Sequence, residues 1–204
     1  MDASLRIETL TGAAVLPALP ALARLRITVF RAWPYLYDGD EAYERDYLRT
    51  YAESPGAAVI VARDGETAVG AATCLPLAEE EENIQAPFLA RGLDPARFFY
   101  FGESVLLPAY RGRGAGVAFF AQREAHARRV SDSDFACFCA VTRPEDHPAR
   151  PERYVPLDAF WRRRGFVPMA DLACTMRWRD LGAAADSDKQ LRFWGKSLSG
   201  AALP

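Results

Sequence analysis

The spacing of apolar and polar residues divides this chain into short, recognisable elements. Leu5–Glu8 alternates apolar and charged positions, as a short edge strand does. Ala14–Ala32, rich in Ala, Leu and Arg, predicts a helix that Pro34 closes. A second helix is predicted over Asp40–Tyr51, where Tyr43, Tyr47 and Tyr51 recur at every fourth position. Ala57–Ala62 and Thr67–Leu75 flank the turn residues Asp64–Gly65 and predict a hairpin. Glu79–Glu82, followed by Asn83 and Pro87, reads as a solvated loop.

The second half begins with Phe98–Leu107 (FFYFGESVLL), aromatic and β-branched enough for a buried strand that Pro108 ends. Arg111–Gly116 (RGRGAG) follows, then a helix to about Val130 and another strand over Phe135–Val141. A Pro-rich loop, Thr142–Pro156, leads to a short helix ending near Gly165, placed as a left-handed cap. Phe166–Trp178 and Gln190–Lys196 predict a closing antiparallel pair across the linker Gly182–Ser187. Strands alternate with helices only in the middle of this order. The fold class expected is therefore α/β, with one mixed, mostly antiparallel twisted sheet and helices on both faces.

Composition narrows the function. The 204 residues suit one domain, and Lys+Arg 25 against Asp+Glu 27 leaves a net charge of −2. That balance lacks the basic footprint of a nucleic-acid binder. Cys74, Cys137, Cys139 and Cys174 lie in apolar runs and read as buried thiols rather than disulfides or zinc ligands, so no metal is expected. The uncharged stretch Thr9–Ala23 is short for a membrane span and contains Pro17 and Pro20. The opening residues, with Asp2, lack the basic start of a signal peptide, and a cytoplasmic protein is the expectation.

The chemistry concentrates at Gly112, Gly114 and Gly116, between a strand and a helix. Glycine lets the backbone bend tightly and lets a ligand approach its amides. The first N–H groups of the next helix carry the positive dipole end, so such a turn can cradle a phosphate. A turn made only for close packing is the other reading. A Walker loop is excluded, because no lysine is in reach. The dinucleotide fingerprint fails at Val117, where a third small residue is wanted.

Arg111-x-x-Gly114-x-Gly116 resembles the coenzyme A motif of the GNAT superfamily of N-acetyltransferases, and Phe160–Phe166 (FWRRRGF) resembles that family's later helix end. The strand–helix–strand–helix order between them also matches. The resemblance implies a GNAT-like fold over residues 1–204 and acetyl-CoA as cofactor. It implies backbone contacts from Ser104, Val105 and Leu106 to the pantetheine arm. It also places Arg111, Gly112, Arg113, Gly114, Ala115, Gly116 and Val117 around the pyrophosphate. Dimers are common in that family, so a homodimer is compatible.

Acyl transfer to an amine needs a base, because an alkylammonium with a pKa near ~10 is not nucleophilic. Glu103, beside the pantetheine contacts, is the first candidate; a structural ion pair with an arginine is the competing role. The family's usual acidic tyrosine falls at Trp161, which cannot usefully give a proton. Tyr154 is the replacement candidate, and His147 a further base or ligand; both also read as plain loop residues. His126 is assigned to structure, and Cys137 with Cys139 to core filling. In the resembled family the link between the first two helices walls the acceptor site. Here it offers Tyr35, Tyr37 and Asp38, aromatic and acidic groups that suit a cationic amine or amino-acid-like acceptor. The functions expected are an N-acetyltransferase or, alternatively, a silent CoA-binding module or an acyltransferase for longer acyl-CoA.

Overall fold

The computed structural model describes residues 5–204, so Asp2 lies outside them. Seven strands form one open, mixed sheet in the order β1-β2-β3-β4-β5-β7-β6. They are β1 (Arg6–Leu10), β2 (Ala58–Asp64), β3 (Thr67–Pro76), β4 (Phe98–Leu106), β5 (Phe135–Val141), β6 (Val167–Trp178) and β7 (Ser187–Ser197). Neighbours run antiparallel except β4 and β5, which are joined by a helical crossover.

Helices α1 (Leu19–Phe30), α2 (Glu41–Glu53) and α3 (Glu82–Ala90) cover one face, while α4 (Ala115–Val130) and α5 (Asp158–Arg162) cover the other. The α1 side buries Leu22, Leu48, Phe88, Phe98 and Phe193; the α4 side buries Ile60, Phe99, Phe101, Phe119 and Phe166. Alternation along β4 explains the division, since Phe98 and Tyr100 face one layer and Phe99 and Phe101 the other.

Two expectations need correction. The first helix is a 3-10 turn over Gly12–Ala18 before α1, because Pro17 has no N–H for a regular ladder and Pro20 fits only a first turn. Together they span Gly12–Phe30, long and apolar enough by composition to cross a bilayer; here Val15, Leu19, Leu22 and Leu25 pack into the core. The loop read at Glu79–Pro87 is largely α3, with Pro87 inside it. Ile84 and Phe88, four apart, both enter the core, and their burial outweighs the proline.

Candidate active site

The sheet is split at its centre. β5 pairs with β4 only at Phe98–Tyr100, against Phe135–Cys137. Beyond that, Phe101–Leu106 and Phe138–Val141 diverge, although β4 stays paired with β3 and β5 with β7. The cause lies in β4. Cys74 pairs with Phe101 and Ala72 with Ser104, so Gly102 and Glu103 together face Thr73 in a bulge that bends the strand. Gly102 has to be glycine, because a Cβ there would meet the Thr73 hydroxyl and stand 2.6 Å from Tyr51 Oη.

A cavity of about 980 Å³ fills this split and runs through the sheet. Its walls include Trp33 and Tyr35 on the α1 side, Glu103 and Ser104 on β4, and Phe120 and Arg123 on α4. Leu107 N–H bonds Val69 O at 3.0 Å, so alternation turns the polar groups of Val105 toward β3. Those of Ser104 and Leu106 face the open side instead. An extended amide-bearing ligand can pair with these two residues as an added strand would. Val105 is fully buried and contributes packing.

The glycine turn closes one end of the cavity. Gly112 and Gly114 have φ of 79° and 86°, a region that costs other residues about 1–2 kcal/mol. A Cβ on either would meet nothing within 4 Å, so the space before their amides is open. Gly116, by contrast, lies under Phe160, whose Cζ would be 3.3 Å from an added Cβ. Val117 N–H returns to Gly114 O at 3.0 Å, which leaves the donors of Gly112, Gly114, Ala115 and Gly116 for a ligand. Arg111 lines the cavity and donates to Leu106 O at 3.4 Å; Arg113 lies over the Tyr110 ring at 5.2 Å.

Glu103 is buried where the split opens. Its Oε2 is 2.6 Å from Arg26 Nη1, while Oε1 is buried without a hydrogen-bond partner. Arg26 also binds Glu44 and stacks over the Tyr47 ring at 4.4 Å. Burial alone would lower the Arg26 pKa, but Glu103, Tyr47 and Glu44 outweigh it and hold the guanidinium well above its usual value. The ion pair offered by the sequence is thus formed through one oxygen of Glu103, and the other oxygen is buried without a partner in a residue that lines the cavity.

Tyr154 lines the same cavity, its ring 6.0 Å from Trp33. Burial, then Asp158, raises its pKa, so the phenol keeps its proton at neutral pH. Trp161 packs between Phe138 and Trp194, both at 5.0 Å. His147 stays outside: its Nδ1 accepts the Ala149 N–H at 3.1 Å and its ring leans on Trp33 at 5.0 Å. His126 bonds Gly56 O at 2.9 Å, a structural contact.

Of the three acceptor candidates, only Tyr35 reaches the cavity. Tyr37 turns toward Glu44, and burial followed by that carboxylate raises its pKa. Asp38 pairs with Arg179 at 2.9 Å and Arg31 at 3.7 Å, away from the cavity lining. Both are corrections to the expected acceptor wall: Tyr37 is drawn to Glu44 on the neighbouring α2, and Asp38 to Arg31 at the end of α1 and to Arg179 after β6. Trp33, Arg26 and Arg123, which the sequence did not single out as site residues, line the cavity or support Glu103. Trp33 stands beside Tyr35 in the same link and was legible as a neighbour, whereas no local pattern marks either arginine.

Known proteins share this architecture. N-acetyltransferase of Staphylococcus aureus Mu50 superposes with a TM-score of 0.61 at 12% identity, covering 96% of this chain and 99% of that one. The yncA protein of Salmonella typhimurium, solved with its cofactor acetyl-CoA, gives 0.59 at 14% identity, covering 99% and 98%. A ribosomal-protein-alanine N-acetyltransferase of Brucella melitensis gives 0.59 at 18%, covering 95% and 99%. No curated protein sequence matches significantly. The family model for the acetyltransferase (GNAT) family matches residues 23–166, from α1 through α5 and the split sheet between them. The chain is therefore a member of the GNAT family of acetyltransferases, which use acetyl-CoA.

Proposed function

We propose that the chain acetylates a primary amine of a small molecule or amino-acid-like acceptor, in direct attack on the thioester with Glu103 as base. The supporting observation is that Glu103 lines the cavity and keeps a buried Oε1 with no hydrogen-bond partner. A buried acceptor atom without a partner carries a desolvation cost of about 1–3 kcal/mol, which an N–H of the substrate would relieve.

The site fits acetyl-CoA on its own geometry. The free amides before α4, with Arg111, would hold the pyrophosphate, and the open polar edge of Ser104 and Leu106 would hold the pantetheine amides. Acetyl-CoA supplies an acetyl group activated as a thioester. The chain's own residues do the remaining work. Arg26 fixes Glu103 through Oε2, so that Oε1 is the atom left to receive the ammonium proton. Trp33 and Tyr35 give the acceptor side an aromatic wall suited to a cationic ligand. Tyr154 keeps a proton at the cavity wall for the departing thiolate.

Free-thiol release from acetyl-CoA across a panel of amines tests this function. Saturable, amine-dependent release in the native protein that Glu103→Gln abolishes supports it. Acetyl-CoA binding with no release for any amine would make the chain a CoA-binding module instead.

A further inference from the structure

On the α4 side of the split, Arg123 is 1% exposed, and that residue lines the cavity. Its guanidinium lies over Phe101 at 4.5 Å and Phe120 at 4.7 Å. Among the described residues its one hydrogen bond runs from Nε to Phe119 O at 3.3 Å, and it has no ion pair. The adjacent Glu124 is engaged by Lys196 at 2.7 Å and Arg128 at 3.6 Å, and Glu103 by Arg26. Burial lowers the Arg123 pKa to about 10, so it remains a cation at neutral pH. Buried charges are normally paired; among the described residues no carboxylate forms an ion pair with this one, and Glu103 and Glu124, which act on it only through space, are tied to other cations.

Its depth in the split is informative. Arg123 comes eight residues after Ala115, about 12 Å along α4 from the glycine turn at 1.5 Å per residue. Gly102 lies four residues back from Leu106, about 13 Å along β4. Both therefore sit at the closed end, just before β4 and β5 pair again at Tyr100 and Cys137. A ligand entering from the glycine turn meets Phe120 and Phe138 on the way to this cation. Apolar walls ending in a buried cation match an acyl chain that ends in a carboxylate.

We infer that the closed end of the split receives acyl groups bearing a terminal carboxylate, with Arg123 as their counter-ion, so that monothioesters of dicarboxylic acids serve as donors alongside acetyl-CoA. This rests on the acyl-CoA reading given above. The transfer is otherwise the same: an N–C bond forms, the C–S bond breaks, Glu103 takes the amine proton, Tyr154 gives one to the departing thiolate, and the distal carboxylate is unchanged. Arginine suits the task because its planar fork binds a carboxylate through two N–H groups.

Calorimetric binding tests this without knowing the acceptor. Acetyl-, butyryl-, malonyl- and succinyl-CoA are titrated into the native protein, with butyryl as the neutral match in length to succinyl. The expected result is at least tenfold tighter binding of malonyl- or succinyl-CoA than of butyryl-CoA. Arg123→Gln should collapse that ratio toward one, and Arg123→Lys should restore part of it. If acetyl- and butyryl-CoA bind but neither dicarboxylic donor exceeds butyryl, this inference fails and the acyl-CoA reading stands. If no acyl-CoA binds, both fail. Should Arg123→Gln not fold, the native donor series still decides.

Discussion

Replacing Arg26 by methionine tests whether the site is organised around one shared cation. Arg26 lies between two buried carboxylates, Glu44 with a side-chain exposure of 0% and Glu103 with 3%. Methionine keeps the length and packing of the stem but leaves both acids without their cation. Removing one member of a buried ion pair costs about 3–5 kcal/mol, mostly from the charge left behind. Loss of the stacking on Tyr47, at 4.4 Å, adds about 0.5–2 kcal/mol. Against a typical domain stability of about 5–15 kcal/mol this is a severe change. In urea, with a slope of about 2–3 kcal/mol/M, the midpoint should fall by roughly 1–3.5 M. The double variant Arg26→Met/Glu44→Gln removes one stranded charge and should recover about 1 kcal/mol or more. A midpoint shift below about 0.3 M in the single variant, with unchanged slope, would refute the reasoning.

Glu103→Gln should lower kcat/KM by about 10²–10⁴-fold with acetyl-CoA affinity retained; a loss under threefold in steady-state assays removes Glu103 as base. Tyr154→Phe should reduce kcat about 10²-fold with little change in KM, and an unchanged kcat would mean the thiolate leaves without it. Glu80 is held by burial at about 7 against an ordinary 4.5, so its protonated form is the one folding favours. Its contribution is complete below pH 4.5 and is lost as pH rises to 7, so native protein should lose about 3 kcal/mol relative to Glu80→Gln across that window in urea titrations; parallel curves would disprove it. Gly114→Val places a β-branched residue at φ 86°, lowering the melting temperature modestly. It should also remove the ~2.7 kcal/mol of stabilisation that acetyl-CoA at a hundredfold its Kd gives the native chain, and full retention would refute the anion cradle.

The sequence by itself determined most of the fold and the glycine turn of the candidate site. Apolar alternation and turn residues marked every strand, because both are local properties of a pleated, half-buried chain. The glycine turn was legible for the same reason: alternate glycines ahead of a helix have one main physical use, close approach of a ligand or a neighbouring element. Only the tertiary structure decided the rest. The bulge at Gly102 and Glu103 that opens the sheet follows from Thr73 on the next strand and Tyr51 on α2. That Asp38 is held by Arg179 while Glu103 is held by Arg26 through one oxygen alone depends on side chains far apart in sequence. So does the isolation of Arg123, a residue that looks like any other surface arginine when read along its helix. Charges pair and desolvate through space, and their balance is set by which segments the folded sheet brings together.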